Sequence, residues 1–410
     1  MRNEMINKAK YLISMQELHG DYRDNTLAEG IPAKLLLISS LKDKYKECEY
    51  ESIVYKNIDI LINSLETYGL YNFSLFSGTA GVGLSLFSVS ENGNKYNDIL
   101  DSINTLLVEQ VEDFFKFVKK SDLKIIDYDL ITGISGIVQY LLLWTKNEIM
   151  YETLIKCLDF LVSIVLESKT TKLGKVVPCI YISAENQMTK EEASLIPNGA
   201  INLGVAHGIA GIGIALCLAY KNGIIVKHQR EAVDRIIAIY KNNELRKEEK
   251  IYWNNNLEPN EINDDFKNFI RDGWCYGVPG ISLFFLYSGL VFKNNEYIEY
   301  AKKLFKNSLK NLEGVYSPIL CHGYSGLAEI ANVFCHTIGD KELYRLKNDL
   351  NKKVVSFFDV NSKYGFKDFE DYKDTIGKEN IGFLDGAIGI YLSIFDNEKE
   401  DKVWSRALLL

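Results

Sequence analysis

The chain has 410 residues, 47% of them hydrophobic and 25% charged, the balance of an ordinary soluble protein with room for a large core. Its formal net charge of −8, with basic residues spread out, leaves no electrostatic footprint for nucleic acid. Seven cysteines, an odd number scattered along the chain, make no disulfide framework and fit a reducing cytoplasm.

The N-terminal "MRNEMINKAKYLISMQELHG" has no continuous apolar stretch and no small-residue cleavage site. No apolar run reaches the roughly 18–20 residues of a membrane helix. A cytoplasmic protein is expected. From there the chain alternates two kinds of predicted helix. A first, weaker unit lies at 27–41 ("LAEGIPAKLLLISSL"). "SGTAGVGLSLF" (77–87) is then followed by the amphipathic 99–120, and "TGISGIVQYLLL" (132–143) by the amphipathic 152–168. Residues 168–200 break the rhythm with a short β-like run and a polar stretch, and are expected to form an inserted extension. "HGIAGIGIALCLAY" (207–220) precedes the amphipathic 231–242, and the charged 241–270 reads as a second insertion. "YGVPGISLFFLYSG" (276–289), "HGYSGLAEIANVF" (322–334) and "DGAIGIYLSIF" (385–395) complete the series, with amphipathic segments at 296–312 and 341–358 between them.

Six of these segments share Gly-x-x-Gly followed by a run that is apolar nearly all round. Helices of that kind are buried on several sides, whereas the amphipathic ones keep one face wet. The pattern predicts an all-α fold in two layers, an α,α-toroid of about seven inner and seven outer helices, built as one domain over 1–410. The turns before the inner helices would gather at one end. An open α-solenoid is the alternative.

Those turns carry the chemistry-bearing residues: Asp129 in "DYDLITGISG", His207 in "GVAHGIAG", Cys275 in "RDGWCYGVPG", and Cys321-His322 in "LCHGYSG". Two thiolates and an imidazole suit Zn²⁺, and three protein ligands leave a position for substrate. Cys275, Cys321 and His322 are therefore the expected metal ligands. A second Cys-His pair, Cys335-His336, follows a helical run. Neighbouring residues on a helix point about 100° apart, so Cys335 is expected in the core and His336 at a helix end. His19 and His228 read as surface residues. His207 would be either a fourth ligand or an acid or base beside the metal. Asp129 reads equally as a helix cap, and Tyr276 as a packing residue.

"WCYGVPG" followed by "CHGYSG", with "NLGVAHGIAG" and "YDLITGISG" upstream, resembles the lanthionine synthetase C-like family. More narrowly it resembles the stand-alone cyclases of class I lantibiotic biosynthesis, of the nisin cyclase type. The likeness runs from about residue 70 to the end, and "SAENQMT" is similar to those enzymes' insertion. The resemblance implies an α,α-barrel with zinc held by Cys275, Cys321 and His322, and active-site roles for His207, Asp129, Arg271 and Tyr276. It implies a substrate peptide already dehydrated at Ser and Thr, to whose dehydroalanine and dehydrobutyrine residues cysteine thiols add, forming (methyl)lanthionine rings. It also implies a complex with a dehydratase and an exporter, and through it peripheral membrane attachment.

That chemistry agrees with the residues. Zinc favours the nucleophilic thiolate. Attack on the dehydro residue gives an enolate that must take a proton, which His207 would handle. Asp129 would orient His207, and Arg271 and Tyr276 would shape the pocket or stabilise the enolate oxygen. Zinc-dependent addition of glutathione and a peptide-binding scaffold with structural zinc are the alternatives. Toroidal glycosidases need paired carboxylates that these turns lack.

Overall fold

The computed structural model describes residues 1–15, 19–171, 174–258 and 271–410. The expected insertions 168–200 and 241–270 lie outside the described residues over 172–173 and 259–270 respectively. In chain order the helices are α1 Arg2–Ser14, α2 Ile31–Ser40, α3 Glu47–Tyr68, α4 Thr79–Val89, α5 Asn97–Phe117, α6 Ile125–Tyr128, α7 Ile134–Leu141 and α8 Glu148–Leu166. They continue with α9 Lys190–Leu195, α10 Ile209–Lys221, α11 Gln229–Asn242, α12 Val278–Val291, α13 Asn295–Lys310, α14 Tyr324–Ile338, α15 Lys341–Ser356 and α16 Ala387–Phe395. Among the described residues three two-stranded antiparallel ladders accompany them: β1 (Ser168–Thr170) with β2 (Val176–Pro178), β3 (Ile201–Asn202) with β6 (Asn256–Leu257), and β4 (Leu245–Lys247) with β5 (Lys250–Tyr252). The extension expected at 168–200 thus holds β1 and β2, with Ile182 bridging Ala200.

The chain forms two compact units. One comprises Met1–Leu107, Val315–Leu408 and Leu410, and the other Val108–Gly314 and Leu409. In the first, α14, α16, α2 and α4 lie side by side in that order, with α15 against α14 and α16 and α3 against α2. The last Gly-started helix, α16, therefore meets the first, α2, a neighbourhood an open solenoid would not make. In the second unit α7, α10 and α12 form the row, with α8 against α7, α11 against α10 and α13 against α12.

Burial follows the sequence pattern. In α10 every residue from Ile209 to Ala219 is buried, as is Val278 to Gly289 in α12. The amphipathic α13 buries only Ala301, Leu304, Phe305 and Ser308, one stripe at helical spacing. Its start is a side-chain cap, Asn294 accepting from Glu296 N and Tyr297 N.

The row helices begin differently. Each of α4, α7, α10, α12, α14 and α16 starts after a glycine with no side-chain cap. The first-turn N–H groups of a helix need partners, and here the preceding loop supplies several. Thr79 N donates to Asn72 O (3.0 Å), Tyr324 N to Ser317 O (2.9 Å) and Ala387 N to Asn380 O (2.9 Å), each carbonyl seven residues upstream. The loop is folded back along the helix it introduces, and this leaves no room for a side chain on the glycines. A Cβ on Gly208 would lie 2.4 Å from Asn202 O, and one on Gly277, at φ +93, 2.3 Å from Arg271 O.

Consecutive turns are also bonded to each other. In the second unit Leu130 N donates to Ala206 O (3.0 Å) and Val205 N to Cys275 O (2.8 Å). In the first, Cys321 N donates to Leu384 O (3.0 Å), Phe383 N to Ala28 O (2.8 Å) and Ala28 N to Phe76 O (3.0 Å).

Gly211 tests this account of the glycines. It sits inside α10, where alanine ordinarily stabilises by about 1 kcal/mol. A Cβ there would lie 2.2 Å from Val205 O. Gly211→Ala is therefore expected to destabilise the protein, by at least about 2 kcal/mol, measured by urea unfolding. A neutral or stabilising outcome would refute the fold-back constraint.

Candidate functional site

The second unit holds Asp129, His207, Arg271, Cys275 and Tyr276, and their arrangement is built by the turns. Asp129 ends α6, and its side chain is fully buried. Oδ1 accepts from Thr132 N (2.7 Å), Thr132 Oγ1 (3.0 Å) and Gly133 N (2.8 Å), so the carboxylate does cap the approach to α7. Its other oxygen, Oδ2, lies 2.6 Å from His207 Nδ1. The two expected roles, cap and imidazole partner, thus fall to different oxygens of one side chain.

His207 stands one residue before Gly208, in the loop folded onto α10. Four residues upstream, Leu203 O accepts from the buried Tyr240 hydroxyl (2.6 Å), and Leu203 N donates to Asn255 O (2.8 Å). Tyr240 in turn packs against Trp253, Phe284 and Phe285. The core of the unit therefore fixes the height of the His207 turn. The imidazole keeps 21% of its surface exposed. A carboxylate accepts only, so Nδ1 carries the proton toward Asp129, and Nε2 is the nitrogen left for chemistry.

Cys275 is buried in the turn before α12, and its carbonyl accepts from Val205 N (2.8 Å) and Ala206 N (3.3 Å) of the His207 turn. Tyr276 follows. Its ring centroid is 6.4 Å from that of His207, and its hydroxyl accepts from Asn202 Nδ2 at 2.9 Å. Burial raises the phenol pKa well above its ordinary value. Arg271 is half-buried where the turn starts, its carbonyl behind Gly277. Next to it, buried Asp272 pairs with Lys250 Nζ at 2.8 Å and accepts from Glu313 N, holding the turn to the segment that leaves α13.

In the first unit Cys321 and His322 occupy the corresponding turn before α14, both partly exposed. Cys275, Cys321 and His322 are the group of three among the described residues that could hold a metal ion. Two thiols and an imidazole are a donor set of the kind that suits Zn²⁺. His207 is outside the group. Cys335 is 1% exposed on α14 and His336 lies exposed in its last turn, as expected. His228 is exposed. His19 is a correction: it is not a free surface residue but has its side chain only 19% exposed, 3.6 Å from Glu29 Oε2, with its N–H bonded to Asp24. Its sequence neighbours are polar, and the contact comes from the fold.

Asn202 and Thr132 are the site residues the sequence reading passed over. Asn202 has a signal in retrospect. Asn72, Asn202 and Asn380 each stand six residues before the glycine that opens a row helix, and each accepts from the N–H two residues on.

The model of the "Lanthionine synthetase C-like protein" family matches residues 21–409. The chain belongs to this family. It is 34% identical over 397 residues to "Nisin biosynthesis protein NisC" of Lactococcus lactis subsp. lactis, a match spanning 95% of this chain and 90% of that protein. The solved "Nisin cyclase" superposes with a TM-score of 0.85 at 30% identity, covering 100% of this chain and 96% of that one. The likeness gives the chain the helical toroid fold expected from its repeats. No helix among the described residues is long and apolar enough to cross a membrane.

The two Cys-His pairs should separate in reactivity. Cys48 is exposed, whereas Cys217 and Cys335 are buried. Burial pushes Cys335 up to about 11 and Cys217 up to about 12. A raised thiol pKa leaves the protonated, unreactive form dominant below that pH. Native protein treated with a thiolate-selective reagent at pH 8 is expected to label exposed Cys48, while Cys335 and Cys217 react only after unfolding. Mass spectrometry showing rapid native labelling of Cys335 would contradict this.

Proposed function

We propose that the protein is a zinc-dependent lanthionine synthetase of the lantibiotic cyclase type, adding peptide cysteine thiols to dehydroalanine and dehydrobutyrine. Residues 1–410 would act as one cyclase domain, with 168–200 as its extension. The observation that carries the reading is the imidazole of His207, held at Nδ1 by buried Asp129 so that Nε2 is the nitrogen left for chemistry, in a turn bonded to that of Cys275. Family membership and the donor set of Cys275, Cys321 and His322 supply the rest.

These three residues would hold Zn²⁺, which when bound favours the thiolate of the incoming peptide cysteine. His207 takes the thiol proton at Nε2, and the Asp129 carboxylate stabilises the imidazolium so formed. Sulfur bonds to Cβ, and the π pair of the dehydro residue moves onto the carbonyl oxygen. His207 returns the proton to Cα, so the net change is addition of S–H across C=C. Tyr276 and Arg271 would stabilise the enolate oxygen. The dehydrated precursor peptide is the substrate, and a complex with a dehydratase and an exporter, with attachment at a membrane through it, is part of the same proposal.

His207→Asn is expected to lower the rate of ring formation about 10²–10⁴-fold with zinc retained, read as free thiols remaining on dehydrated peptide. Near-normal cyclisation would defeat the role given to His207. Cys275→Ala should lose stoichiometric zinc, whereas Cys335→Ala should keep it. Full zinc in the first variant would remove Cys275 from the ligand set.

A further inference from the structure

We propose that Asn202 is a positioning residue for this reaction: it takes up the acceptor side of the Tyr276 oxygen and so aims the phenol O–H at the substrate enolate. The inference rests on the enolate-stabilising role given to Tyr276 above.

The orientation of the Asn202 amide is settled by its surroundings. Asn202 is 6% exposed, and its Oδ1 lies 2.9 Å from Gly204 N. A backbone N–H can only donate, so the amide oxygen must face Gly204 and the amide nitrogen must face Tyr276. Nδ2 then donates to the Tyr276 oxygen at 2.9 Å. A phenol oxygen that receives an N–H from one side must turn its own hydrogen elsewhere. Without that donor the hydroxyl would rotate freely and pair with any acceptor in reach.

The rest of the pair is fixed as well. Asn202 belongs to β3 and is paired in register with Asn256 of β6. The Tyr276 ring lies against Gly204, where a Cβ would come within 2.7 Å of ring carbons Cδ1 and Cε1. Val205 N and Ala206 N bond to the carbonyl of Cys275, tying the backbone beside Tyr276 to the same turn. Asn202 and Gly204 thus grip the ring from the loop that also carries His207. The hydroxyl proton is not transferred: it donates a hydrogen bond to the oxygen that becomes negative when sulfur bonds to Cβ, while His207 supplies the proton to Cα.

The test compares Tyr276→Phe, Asn202→Asp and the double variant on dehydrated peptide with the full-length zinc protein. A carboxylate at position 202 still accepts from Gly204 N but cannot donate, so the phenol would turn its O–H toward it and away from substrate. Asn202→Asp is therefore expected to lower kcat as Tyr276→Phe does, on the order of 10²-fold, with KM and zinc content within about twofold of the parent protein. The double variant should be no worse than the weaker single. Asn202→Ala, should the aspartate variant not fold, is expected to lower kcat by a smaller factor at unchanged KM. Wild-type kcat in Asn202→Asp or Asn202→Ala, beside an impaired Tyr276→Phe, overturns the positioning role and leaves that of Tyr276 standing. Multiplying losses in the double variant also overturn it. Wild-type kcat in Tyr276→Phe instead removes the reading of Tyr276 on which the inference rests.

Discussion

The loops that fold back along the row helices are the constraint on which the rest of the structure depends. A helix start buried in a protein interior must satisfy its first N–H groups, and water is not there to do it. Here the backbone seven residues upstream does so, at Asn72, Ser317 and Asn380 among others. That solution forces glycine at the helix start and again one turn on, because a carbonyl occupies the space a Cβ would need. It also brings six residues of loop to the end of each row helix, where side chains are free to serve something other than capping.

The site uses that freedom. Asp129, His207, Cys275, Cys321 and His322 all stand within four residues of a helix-opening glycine, and one side-chain oxygen of Asp129 also accepts from Gly133 N at the start of α7. Bonds from turn to turn hold these loops in register within each unit, so that Val205 and Ala206 address Cys275 directly. The chemistry then separates by role. Thiolates and an imidazole make a metal donor set, a carboxylate holds one nitrogen of His207, and an amide holds the oxygen of Tyr276.

Much of this was legible in the chain because two periodicities are written in it. Apolar residues at helical spacing distinguish Ala301, Leu304 and Phe305, buried as a stripe, from the all-round apolar run at Ile209–Ala219. The Gly-x-x-Gly repeat marks the turns, and the rarity of Cys and His draws attention to Cys275 and Cys321-His322. Asn202 was not legible in the same way. Asparagine is common in turns for its own local hydrogen bond, which it makes here to Gly204, and nothing in sequence spacing says that its other end meets Tyr276. The surroundings of His19 are hidden from sequence for a related reason: its partner Glu29 comes from the path of the intervening turn rather than from a helical register.

What the sequence alone determined is the alternation of buried and half-buried helices, the place of the turns and the identity of the groups at them, because local spacing and residue chemistry decide these. What only the tertiary structure decided is which atom of each group is occupied and which is free. Asp129 could cap a helix or hold an imidazole, and it does both because its two oxygens face different partners. His207 has its Nδ1 against that carboxylate, which leaves Nε2 as the nitrogen for either ligation or proton transfer. Such choices rest on distances of a few ångströms between segments far apart in the chain, and folding alone sets them.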